Sequence, residues 1–248
     1  MKSIAERGSA TGDPMKIAAV VTDIEGTTSS IGFVHDVLFP YALKHIGNFV
    51  REHGEERDVM RVLVRISENT GIALHKIEDI IKLLQRWIRE DSKDTELKAL
   101  EGMVWEKGYK QGIFQAHVYE DVPEVLQRWQ QEERNLYVYS SGSIKSQQLF
   151  FRFSECGDMR LLFSGYFDTT IGPKREVKSF INLAEAIALP PETIMFISDV
   201  KEELDAAAYA GFRTTWVLRP EETTLDPVKL AKKSEHAIVT SFDQIKLD

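Results

Sequence analysis

Residues 17–22 (IAAVVT) form an unbroken apolar run, rich in β-branched side chains, that stops at Asp23 and passes into Gly26-Thr27-Thr28-Ser29-Ser30. A strand with no polar alternation must be covered on both faces, and parallel sheets are where such strands occur. Similar runs recur at residues 136–139, 194–197, 213–218 and 237–239, separated by helix-length amphipathic stretches. Strand and helix therefore alternate after about residue 120, which implies βαβ crossovers. The expected core is an α/β fold, a Rossmann-like parallel sheet flanked by helices.

The helices between these runs have readable starts. Asp121 stands three residues before Glu124 with Pro123 between them, the pattern of an N-capped first turn. Ser143 is placed to cap a helix after Ser140-Ser141-Gly142, and Val177, Phe180, Ile181, Ala184, Ile187 and Ala188 repeat at helical spacing. Residues 33–115 break the alternation, because every periodic segment there is helical. Ile77, Ile80, Ile81, Leu84, Trp87 and Ile88 share one face, and Ile81 and Trp87 read as bundle core. The domain reading is an α/β catalytic core of residues 16–32 and 116–248, an all-helical cap of residues 33–115, and a disordered leader over residues 1–15.

Charge and composition remove several function classes. A net charge of -8 argues against neutralising nucleic acid phosphates, so no nucleic acid partner is expected. No apolar run approaches the roughly 18 to 20 residues that span a bilayer, so no membrane partner is expected either. The single cysteine, Cys156, can form neither an internal disulfide nor a thiolate metal cluster, and a reducing cytoplasm is the simplest location.

In a parallel α/β sheet the reactive crevice lies beyond the carboxyl ends of the strands. Four polar segments follow apolar runs: Asp23-Ile24-Glu25-Gly26-Thr27-Thr28, Ser140-Ser141-Gly142-Ser143, Gly172-Pro173-Lys174, and Ser198-Asp199 with Glu202 and Glu203 behind it. Singly, each has an ordinary reading: a turn acid, a helix cap, a surface lysine, an N-cap acid. Jointly, Asp23 and Asp199 can share one hard divalent cation such as Mg2+, with main-chain carbonyl and water oxygens completing its shell. Lys174 and that cation would neutralise a phosphate, Ser140 and Ser141 would donate to its oxygens, and the Asp23 carboxylate would attack phosphorus.

This ordered set resembles the haloacid dehalogenase-like superfamily, with one departure: Glu25 stands where most members have a second Asp. Residues 22–30 (TDIEGTTSS), 33–42 (FVHDVLFPYA), 105–112 (WEKGYKQG), 139–143 (YSSGS) and 167–172 (FDTTIG) are similar to segments of the enolase-phosphatases within it. The resemblance implies that Asp23, the Glu25 main-chain carbonyl and Asp199 bind Mg2+. It also implies that Ser140, Ser141 and Lys174 hold phosphate, and that Asp23, Glu25 and Lys174 act in catalysis. It further implies a monomer acting on a small phosphorylated diketone, 2,3-diketo-5-methylthiopentyl-1-phosphate. That substrate is enolised and then dephosphorylated to the acireductone of methionine salvage.

Several points stay open. The base for enolisation has three candidates, His35, Glu25 and Lys174. Glu202 and Glu203 read either as first-turn acids set against a helix dipole or, for Glu203, as a contact to metal-bound water. Arg219-Pro220-Glu221-Glu222 lacks the Gly expected after Arg-Pro, which leaves the conformation of that loop undetermined while not touching the core motifs. A phosphatase for another small ester, a dehalogenase, or a receiver-like phosphorylation switch would share parts of the same residue set.

Overall fold

The computed structural model describes residues 16–247, so the leader expected over residues 1–15 lies outside the described residues. Strand β1 (Ala19–Thr22) forms within the first apolar run and is buried along its whole length. After it the chain makes a π-helical turn (Phe33–Leu38) and then α1 (Phe39–His53), α2 (Arg57–Thr70), α3 (Ile77–Arg89) and α4 (Thr95–Lys110). It then returns to the sheet through α5 (Val122–Gln131), β2 (Asn135–Tyr139), α6 (Ile144–Arg152), β3 (Gly165–Phe167) and α7 (Val177–Ile187). The remaining elements are β4 (Ile194–Ser198), α8 (Lys201–Tyr209), β5 (Arg213–Val217), α9 (Pro227–Ala231) and β6 (Ala237–Val239).

All strand pairs are parallel, in the order β3-β2-β1-β4-β5-β6. Residue Thr22 lies opposite Val138 of β2 and Ile197 of β4, so the segments that follow these three strands leave the sheet side by side. Strand β3 was not among the expected runs. Its residues, Gly-Tyr-Phe, are only half-buried and pair with β2 alone at the sheet edge, so no apolar stretch announces them.

The helical block has its own core, assembled from Ile46 of α1, Ile66 of α2, Ile80 and Leu84 of α3, and Leu100 of α4. Helix α4 starts at Asp94, whose carboxylate accepts from the amides of Glu96 and Leu97 at 2.9 and 3.0 Å. Burying each such aliphatic side chain contributes about 1.5–3 kcal/mol, and this holds short helices together where propensity alone cannot.

Two local expectations need correction. Helix α5 begins beside Asp121, but that carboxylate does not cap it; it accepts instead from Arg219 and from the Phe242 amide. An ionic donor held in a buried bidentate pair outcompetes a main-chain amide. In α7 the buried stripe is Phe180, Leu183, Ala184 and Ile187, whereas Val177, Ile181 and Ala188 are exposed. Ser143 caps α6 as expected, accepting from the Ser146 amide.

Candidate active site

The loop after β1 is fixed almost entirely by main-chain hydrogen bonds. The Asp23 amide donates to the Ile197 carbonyl at 2.9 Å, and the amides of Thr28 and Ser29 both return to the Ile24 carbonyl at 2.9 Å. Gly26 sits at φ +73°, and a Cβ there would run into the Asp199 carboxylate. Glycine at this position is thus what allows the β1 loop and the end of β4 to approach each other. Asp199 is tethered from two sides: its amide donates to Thr27 Oγ1 at 3.0 Å, and its carbonyl accepts from Trp216 Nε1 at 2.8 Å.

Lys174 reaches this point from the loop after edge strand β3. Tyr139 supports the approach by donating its hydroxyl to the Gly172 carbonyl at 2.7 Å. The ammonium group lies 2.6 Å from Asp23 Oδ1 and 2.7 Å from Glu203 Oε2, over the faces of Tyr139 and Phe196. Asp23 is only 4% exposed and Lys174 8%. Glu203 also accepts from Ser198 Oγ at 3.0 Å. Ser140 and Ser141 follow β2, with Ser140 buried and its hydroxyl accepting from the Gly142 amide.

One cation faces several acids here, and the imbalance shows in their proton affinities. Burial raises the pKa of Asp23, Glu25, Asp199 and Glu203 alike, opposed in each case by Lys174. Asp199 is pushed up to about 7, by burial first and by Asp23 second. For Lys174, burial pulls its pKa down, but the Asp23 and Glu203 carboxylates beside it more than offset this and favour the ammonium form.

A buried excess of negative charge beside a hard-oxygen donor set is what a divalent cation would relieve. Asp23 and Asp199 would be the side-chain donors for such an ion, and no described residue donates to the Glu25 carbonyl oxygen. Among the described residues no three His, Cys, Asp or Glu side chains converge to hold a metal by themselves. The residues present therefore fit an ion that keeps water in its shell, with two carboxylates and a main-chain oxygen as its protein ligands.

A cavity lies beside this site, between the sheet and the helical block. Glu25, Ser140, Ser141 and Gly142 line it from the sheet side, and Trp87, Ile88, Leu97, Glu101 and Trp105 from the helices. Trp87 was expected in the bundle core with Ile81; Ile81 is buried there, but Trp87 is only half-buried and faces the cavity. Spacing places both on one helical face and cannot tell the edge of that face from its centre. His35 is exposed, packs on Phe39, and does not line the cavity. Glu202 is exposed on α8, whereas Glu203 is turned inward to Lys174, so the two adjacent acids have different environments.

The Arg219-Pro220-Glu221-Glu222 loop, whose conformation the sequence leaves open, packs against the first motif. Arg219 is buried, donates twice to the Thr27 carbonyl at 3.0 and 2.8 Å, and pairs with Asp121. Glu222 accepts from the Ile31 amide at 3.0 Å and from the Tyr119 hydroxyl at 2.8 Å. Glu221 is not among the positive-φ residues, so the absent Gly imposes no strain. An Arg ending an apolar strand, with an acid far upstream, was the only available signal.

A family model described as haloacid dehalogenase-like hydrolase matches residues 17–211. A protein of Azotobacter vinelandii named enolase-phosphatase E1 is 50% identical over 232 residues, covering 94% of this chain and 98% of its own length. A namesake from Pseudomonas syringae pv. syringae is 53% identical over 228 residues, covering 92% and 96%. The crystal structure of UTR4 protein from Saccharomyces cerevisiae matches with a TM-score of 0.77 at 28% identity, over 92% of this chain and 100% of that one.

Proposed function

The chain belongs to the haloacid dehalogenase-like hydrolases and, within them, to the enolase-phosphatase E1 family, and we infer that it is the acireductone synthase of methionine salvage. The reaction takes 2,3-diketo-5-methylthiopentyl-1-phosphate to 1,2-dihydroxy-3-keto-5-methylthiopentene and phosphate. The observation that carries the phosphatase half is the buried Asp23 carboxylate, held by Lys174 at 2.6 Å and near enough to Asp199 for its charge to raise the Asp199 pKa.

In this reading Ser140, Ser141 and Lys174 bind the phosphate oxygens. Glu25, on the cavity wall, takes the proton from the carbon that bears the phosphate ester. The electrons of that C–H bond form the carbon–carbon double bond, and the adjacent carbonyl oxygen becomes an enolate, which takes the enol proton from solvent water. Asp23 then attacks phosphorus, the ester P–O bond breaks, and Glu25 returns its proton to the departing oxygen. Water hydrolyses the aspartyl phosphate and restores Asp23. Asp23, the Glu25 carbonyl and Asp199 would hold Mg2+, which supplies charge neutralisation for the phosphate and polarisation of the substrate carbonyl when bound. In this reading His35, exposed and packed on Phe39, takes no part.

Residues 33–115 serve as the cap, excluding water and supplying an apolar wall for the methylthio end. The enzyme works as a cytoplasmic monomer on a small molecule, with neither nucleic acid nor membrane as partner. No helix among the described residues is long and apolar enough to cross a membrane. Incubating the purified protein with the diketone phosphate and Mg2+, while following ultraviolet absorbance and free phosphate together, tests the reading. An enol chromophore is expected to accompany phosphate release. Phosphate without any enol would reject the enolase half, and no phosphate at all would reject both.

A further inference from the structure

Glu101 is the anomaly of the helical block. It lies on α4, is 4% exposed, and lines the cavity that Glu25, Ser140 and Ser141 also line, yet no hydrogen bond or ion pair from a described residue reaches its carboxyl group. The cations that might have served it are engaged elsewhere: Lys93 pairs with Asp91 at 2.6 Å, and Lys98 donates to the Ser141 carbonyl at 3.1 Å. That second bond also fixes where Glu101 is. It ties α4 to the segment proposed to hold phosphate, and Glu101 follows Lys98 by one helical turn on the same side. At the next residue α4 runs so close to α6 that a Cβ on Gly102 would stand 3.2 Å from Ser146 Oγ.

A buried carboxyl group with no partner cannot remain ionised without a large desolvation cost, and it avoids that cost by keeping its proton. Burial indeed raises the Glu101 pKa to about 8. The charged groups facing it are Asp91 and Lys93 from the turn after α3 and Lys98 from α4 itself. Glu25 and the Tyr109 hydroxyl belong to the same cavity, while α1, α3 and α6 present only uncharged side chains to it. A neutral carboxylic acid is a hydrogen-bond donor, which an ionised glutamate is not. In a cavity that Ser140 and Ser141 line, and to which the proposed function assigns the phosphate end, that donor would meet oxygens further along the ligand.

We propose that Glu101 is a substrate-positioning residue that works as a neutral acid, donating a hydrogen bond to a ketone oxygen of the bound phosphate ester. This deepens the enolase-phosphatase reading and rests on it. The donor strengthens as negative charge develops on that oxygen during enolisation, so its contribution falls on the enol-forming step more than on phosphoryl transfer. Glutamine at position 101 offers an N–H donor of similar reach with no proton to lose.

The test compares wild type, Glu101→Gln and Glu101→Leu, each with Mg2+, on the diketone phosphate and on p-nitrophenyl phosphate, which has no ketone, between pH 6 and about 9.5. Glu101→Gln is expected to stay near wild-type rate at neutral pH and to lose the alkaline decline expected of wild type. Glu101→Leu is expected to slow enol formation at least about tenfold while leaving p-nitrophenyl phosphate hydrolysis within about twofold of wild type, which also shows that it folds. Equal rates of enol formation in all three proteins would overturn the proposal and leave the enolase-phosphatase reading standing. So would a Glu101→Gln variant as slow as Glu101→Leu. Wild type that forms no enol from the diketone phosphate would overturn both.

Discussion

The sheet side and the helical side of the cavity both bury acids, and they do so in opposite ways. At the ends of β1 and β4 the acids are pooled around Lys174, within 2.6 to 2.7 Å for Asp23 and Glu203. On α4, Glu101 is buried as deeply as Asp23 and has no described partner. Charge is kept on the first side, where a phosphate and a cation would use it, and suppressed on the second, where an apolar wall and a neutral donor suffice. Chemistry places the residues of the sheet side; packing of α1 to α4 places those of the other.

The largest expected effect sharpens this contrast from the catalytic side. Asp23→Asn keeps the shape of the site and removes the nucleophile, so phosphate release should fall on the order of 10⁴-fold or more, with circular dichroism unchanged. Next comes Lys174→Met, which leaves Asp23 and Glu203 buried without their cation. Its unfolding free energy should drop by about 3–5 kcal/mol, read from the denaturant midpoint, and added Mg2+ should recover part of that loss.

On the helical side the matching change is Leu84→Ala, a deletion inside the block's own core. It should cost about 2–5 kcal/mol in denaturant unfolding, while the folded fraction still hydrolyses p-nitrophenyl phosphate. Loss of that hydrolysis in fully folded protein would break the separation between the two sides. A last expected effect is on stability against pH. Glu101 binds its proton more tightly folded, near pH 8, than unfolded, near 4.5. Its contribution is therefore fully present below about pH 4.5 and is lost as pH rises through about 8. Glu101→Gln should flatten that decline in the thermal midpoint; an unchanged slope would mean that Glu101 is not the group titrating.

The same division explains what was legible in the sequence. The residue after a buried parallel strand must leave the sheet at its carboxyl end, so β1, β2 and β4 announced Asp23, Ser140 and Asp199 directly. Lys174 could be named but not located, because the edge strand before it, β3, carries no apolar run. Arg219 went unrecognised because its role depends on Asp121 and Thr27, residues 98 and 192 positions away. The stripe on α3 predicted its buried face correctly at Ile80, Ile81 and Leu84 but not that Trp87 sits at the rim facing the cavity. Glu101 was invisible for a related reason: in a helix rich in charged residues, nothing in the spacing marks the one acid that folding deprives of a partner.

A crystal structure grown with Mg2+ and beryllofluoride tests the central claim most directly, since beryllofluoride binds carboxylates as an analogue of the phosphoryl group. The account predicts the fluoroberyllate on the Asp23 side chain, contacted by Lys174 and the serines after β2, with one Mg2+ between Asp23 and Asp199. A fluoroberyllate on another residue, or a metal that Asp23 and Asp199 do not share, would contradict it.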